Sequence, residues 1–111
     1  MICLILKHKT FIRQLGKFKN NRRKLLNLIR NSSSSEIKAL GELSYNILRG
    51  NVYCSKHRKN KLKNYAGKLR ILADKRKSLA NKRKNLLKGN GIFLSSLIPL
   101  AIQTIASLLK K

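Results

Sequence analysis

Acidic residues are almost missing from this chain. Glu36, Glu42 and Asp74 stand against 27 lysines and arginines in 111 residues, a formal charge of +24. So few carboxylates, scattered over separate segments, exclude the paired general acid and base on which most hydrolytic sites depend, and a non-enzyme is expected. Only two cysteines occur, Cys3 and Cys54, so no disulfide framework staples the chain and a reducing compartment is the default. Tryptophan is absent and aromatics make up 5%, which leaves Tyr53 and Tyr65 short of a platform for stacking unpaired bases. Proline occurs once, at Pro99, so long helices meet little interruption.

Cys3 with His8, and Cys54 with His57, would make a two-Cys, two-His set, but the pairs lie about fifty residues apart. Structural zinc sites use tight pairs flanking a short loop. No metal and no cofactor is expected.

What the chain does contain is Leu, Ile and positive charge. A hydrophobic fraction of 42% is too high for a disordered basic tail, so burial through helices is implied. The fold class expected is all-α, three or four amphipathic basic helices at about 4–30, 35–49, 56–88 and 92–109, with little fixed tertiary packing in isolation. Self-repulsion at +24 opposes compaction and calls for a polyanion or an anionic membrane as partner.

Four segments follow. Residues 1–30 open on the apolar run Ile2–Leu6 and continue with Phe11, Ile12, Leu15, Phe18, Leu25, Leu26 and Ile29 at helical spacing among basic residues. The run lacks a positive n-region and a small-residue cleavage site, so secretion by signal peptide is not expected. Residues 31–55 hold a serine linker and a near-neutral helix that Ser33 and Glu36 open as a capping box and Gly50 closes. Residues 56–90 read as a basic rod, with Leu62, Tyr65, Leu69, Leu72, Leu79 and Leu86 in a narrow stripe. Residues 91–111 carry no charge from Ile92 to Leu109.

The nucleic-acid-binding candidates are Arg22, Arg23 and Lys24, then Lys56, Arg58, Lys59, Lys61 and Lys63, then Lys75, Arg76 and Lys77, and finally Lys82, Arg83 and Lys84. Cations at helical spacing neutralise phosphates without reading bases. The uncharged tail offers Ile92, Phe93, Leu94, Leu97, Ile98, Leu100, Ile102, Ile105, Leu108 and Leu109 to an anionic membrane. Its polar positions and Pro99 favour an interface-lying or kinked helix over a spanning one. Docking on residues 36–48 is the alternative of nearly equal weight.

Between rod and tail stands Leu87-Lys88-Gly89-Asn90-Gly91, with the spacing cut by maturation proteases of the adenovirus type: an aliphatic residue, any residue, Gly, any residue, then cleavage before Gly. A Lys/Arg-rich block repeating Lys-Arg-Lys, a Gly-containing junction and an uncharged Leu/Ile tail with proline resemble the small core-protein precursor of adenoviruses, of the mu-peptide type. They also look like the small basic accessory virion proteins of adintoviruses and Maverick or Polinton elements. The resemblance is closest over residues 66–109, beginning Ala66-Gly67-Lys68-Leu69-Arg70. It implies a condensing component of the virion and host nucleus that binds double-stranded DNA, with Leu87, Gly89, Asn90 and Gly91 as the protease junction. Lysine dominates here where the adenovirus peptide is richer in arginine, so phosphate is met by point charges rather than forks. Two other classes stay open: a small ribosomal-type RNA-binding protein whose tail packs as a helix, and a membrane-lytic basic peptide.

Overall fold

A computed structural model describes residues 3–50, 56–88 and 92–109. Among them are eight helices and no strand: α1 (Cys3–Lys7), α2 (Lys9–Lys17), α3 (Arg22–Arg30), α4 (Ser34–Leu48), α5 (Lys56–Lys63), α6 (Ala66–Ala73), α7 (Leu79–Leu87) and α8 (Ile92–Leu109). The all-α class is as the periodicity predicts. The number of helices is not, because both long basic segments break.

The first segment is three helices rather than one over 4–30. His8 leaves helical geometry at φ −108°, ψ 30°, and its Nε2 lies 2.7 Å from Ser35 Oγ, tying the α1–α2 corner to the first turn of α4. At the second break, Asn21 caps α3, its Oδ1 accepting from the Lys24 N–H at 3.3 Å. Asparagine supplies the N-cap acceptor that a run of lysines lacks.

The expected rod over 56–88 is likewise α5, α6 and α7. Asp74 is extended at ψ 112°, and its carboxylate accepts the Arg76 backbone N–H at 2.9 Å, so the side chain competes with helix continuation. Ser78 then restarts the chain as N-cap of α7, accepting from the Asn81 N–H at 3.1 Å. Folding back buries the stripe: Leu62, Leu69, Leu72 and Leu86 are inside, with Tyr65 and Leu79 packed against the core.

α4 matches its sequence signature. Ser33 Oγ accepts from the Glu36 N–H at 3.1 Å while Glu36 Oε1 accepts from the Ser33 N–H at 2.7 Å, a complete capping box. Gly50 ends it at φ +74°, where a residue without Cβ carries no strain. Ile37, Leu40 and Leu43 are buried, and α4 packs on α6 and α1. The α4–α6 approach is close enough that a Cβ on Gly41 would sit 2.5 Å from the Leu72 carbonyl oxygen.

α8 lies at the centre. Phe93, Leu94, Leu97, Ile98, Leu100, Ala101 and Ile105 are buried, packing chiefly on α2 and also on α1 and α7. The membrane candidates Phe93, Leu94, Leu97, Ile98, Leu100 and Ile105 thus face the protein's own core; of the tail candidates Ile102 alone, among described side chains, is exposed, at 37%. The physical reason is supply, since α8 is the longest uncharged apolar stretch in a chain whose other helices each carry cations. It docks on α2 more than on α4, the partner suggested by sequence. The side chains of Ile92, Leu108 and Leu109 lie outside the described residues, as do Ser55 and the junction residues Gly89, Asn90 and Gly91. No described helix is long and apolar enough to cross a membrane.

Candidate nucleic-acid interface

Each of α1 to α7 presents exposed cations: Lys7 on α1, Arg13 and Lys17 on α2, Arg22, Arg23 and Lys24 on α3, and Lys38 on α4. Lys59, Lys61 and Lys63 follow on α5, Arg70 on α6, and Lys84 on α7. Lys56, Lys75, Arg76 and Lys77 are exposed as well; the side chain of Arg58 lies outside the described residues. Only one ion pair forms among the described residues, Arg76 Nε to Asp74 Oδ1 at 3.3 Å. The remaining exposed charge is available to an external anion.

Two of the candidate cations, Lys82 and Arg83, are drawn inward. Arg83 donates through Nε to Ile29 O at 3.2 Å and through a terminal nitrogen to Ser32 O at 2.8 Å. It caps the C-terminal end of α3 and fastens α7 to it, because the last carbonyls of a helix have no N–H donor from their own helix and carry partial negative charge. Lys82 is 6% exposed. Its burial depresses the ammonium below the ordinary lysine range, with Asp74 opposing the shift and Lys38 adding to it.

The cations gather at two places. At the α2–α3 corner, Lys19, Asn20, Arg22, Leu25 and Ser95 line an open cleft of about 520 Å³. Beside it Lys24 Nζ stands 5.0 Å and Lys17 Nζ 5.7 Å from the Phe18 ring centroid, both within cation–π range. The second place is a cleft of about 920 Å³ between α4 and the α6–α7 connection, lined by Leu4, Lys38, Glu42, Tyr45, Ala73, Asp74, Lys75, Lys77, Ser78, Leu79 and Lys82. Glu42 Oε1 is buried there without a hydrogen-bond partner, and burial raises its carboxyl above the usual range while Lys75 pulls it down. Asp74 is held below its ordinary value by hydrogen bonds from the Arg76 backbone and side chain.

Sequence inspection assigned no site role to Lys19, Lys38 or Glu42. Lys19 could have been found from the basic run around 17–24. Lys38 and Glu42 could not, since only the α4–α6 contact brings them to residues 73–82. No group of three or more His, Cys, Asp or Glu side chains placed to hold a metal ion occurs among the described residues. No protein-family model, curated protein or solved structure matches the chain.

Proposed function

We propose that this is a non-enzymatic protein that binds nucleic acid through its phosphates, without sequence readout, and condenses it. The supporting observation is the distribution of charge: unpaired exposed cations on α1 to α7, and burial of the one helix that carries none. A body of 31 × 29 × 27 Å with cations on so many helices can touch more than one duplex, the requirement for condensation. In the adenovirus-like setting suggested by residues 66–109, the partner is double-stranded DNA in a virion core.

A second reading, a ribosomal-type binder of structured RNA, is favoured by one observation, the packing of α8 into the core rather than its presentation to a membrane. The test is a pair of titrations at matched salt. Two unrelated 30-base-pair DNA duplexes and one folded RNA hairpin are compared by fluorescence anisotropy, with light scattering to follow condensation. DNA binding that ignores sequence and ends in scattering supports the first reading. A tenfold preference for the hairpin without scattering supports the second, and binding to neither removes both.

A further inference from the structure

The larger cleft has features that a surface for bulk phosphate neutralisation does not need. Lys82 is more than nine-tenths buried and has no carboxylate within ion-pair distance among the described residues. A cation in that position is costly unless something anionic meets it. Three further lysines, Lys38, Lys75 and Lys77, line the same space, and Glu42 and Asp74 offset two of the four charges, leaving a local excess of about two positive charges in that lining. The N-terminus of α7 also opens there, with Ser78 and Leu79 on the wall; Ser78 Oγ takes the Asn81 N–H, and the first-turn N–H groups ahead of it have no acceptor within their own helix and favour phosphate oxygens.

The lining is not uniformly basic. Leu4, Leu79 and Tyr45, which is 41% exposed, share it with the lysines, together with the unpartnered Oε1 of Glu42. An inorganic phosphate would answer the lysines and leave these apolar side chains and the orphaned oxygen unmet. At about 920 Å³ the space is of the size that holds a small organic ligand. A dianionic phosphate joined to a flat ring with N–H donors answers all three: charge to the lysines, ring to the apolar side chains, donor to Glu42.

We propose that this cleft binds a nucleoside monophosphate, with the phosphate on Lys82 and the first turn of α7 and the base toward Tyr45 and Glu42. This goes beyond non-specific duplex binding, which needs no pocket. The same chemistry is offered by a free nucleotide and by an unpaired, 5′-phosphorylated end of a strand.

The experiment is calorimetric titration of the full chain at 0.3 M salt, where diffuse phosphate contacts are weakened. Guanosine monophosphate, guanosine and inorganic phosphate are the probes, against wild type, Lys82→Met and Lys59→Gln. The monophosphate should bind at least tenfold tighter than either fragment. Lys82→Met should weaken it at least tenfold while Lys59→Gln changes it less than twofold. Equal losses in the two variants, or phosphate binding as tightly as the nucleotide, overturns the proposal. Should Lys82→Met fail to fold, acetylation of wild type mapped by peptide mass replaces it: the nucleotide should slow labelling of Lys82 but not of Lys59, and unprotected Lys82 overturns the site.

Competition by single-stranded hexanucleotides separates the two sources. A 5′-phosphorylated strand that displaces the nucleotide, where its 5′-hydroxyl counterpart does not, assigns the site to strand ends. Displacement by neither assigns it to the free nucleotide, and equal displacement by both counts against a phosphomonoester pocket. Duplex affinity of wild type, measured with and without saturating guanosine monophosphate, should agree within twofold, so occupation of the pocket and duplex binding are told apart.

Discussion

Three consecutive cations have three different fates. Lys84 is exposed, Arg83 caps α3, and Lys82 is buried beside a cleft. Each fate has a different mutational signature. Arg83→Met should destabilise the fold by about 1.5–3 kcal/mol, the cost of losing charge-assisted hydrogen bonds to the carbonyls of Ile29 and Ser32, in a urea titration. Lys84→Met should cost less than about 0.5 kcal/mol, as exposed substitutions do. Lys82→Met removes a buried charge without a carboxylate partner and should leave stability at neutral pH equal or higher. Its pH profile is the sharper readout. Because the folded chain holds the Lys82 proton less tightly than the unfolded one, it binds fewer protons between the depressed value and 10.5, and stability rises with pH across that window. In Lys82→Met this part of the rise should disappear, measured by urea unfolding from pH 7 to 11. Gly41 is decided by distance. Its missing Cβ would fall 2.5 Å from a backbone oxygen of Leu72, so Gly41→Ala should force α4 from α6 at a cost of about 1–3 kcal/mol, read as a lower thermal midpoint.

At the scale of elements, α4 shows what local sequence carries well. Ser33, Glu36 and Gly50 are contacts between near neighbours, so the capping box and the positive-φ stop were legible as written, and Ser33→Ala should cost about 1 kcal/mol in the same titration. The breaks near Asn20 and Asp74 were less visible. Helical periodicity persisted through both, and only a side chain competing for backbone N–H groups marks each end. The role of α8 was the hardest to read, because an uncharged amphipathic helix buries the same face in lipid or in protein. Its burial here couples it to the proposed junction. If a maturation protease cuts between Asn90 and Gly91, the product loses the helix that supplies Phe93, Leu94, Leu97 and Ile98 to the core. Cleavage followed by intact-mass analysis and circular dichroism should therefore show helix loss in step with peptide release. A cut chain that keeps its helicity and thermal midpoint after α8 is removed would show that the core does not depend on it.

For the whole molecule the governing quantity is +24 on a body with a radius of gyration of 12.6 Å. Self-repulsion at this density opposes the folded state, and a polyanion that binds the folded chain reverses that. The thermal midpoint should accordingly rise with added salt and rise further with duplex DNA, in differential scanning fluorimetry. Net charge was legible from composition alone. The gathering of Lys38, Glu42, Lys75, Lys77 and Lys82 in one cleft was not, since it depends on long-range packing that no spacing encodes. The central claim is that duplexes are held through their phosphates, without readout of their base sequence. It is tested most directly by the salt dependence of affinity for two duplexes of unrelated sequence. With roughly ten phosphate contacts, both should give one log–log slope near −9 and affinities within about twofold of each other. A slope shallower than about −3, or a tenfold difference between the duplexes, would contradict it.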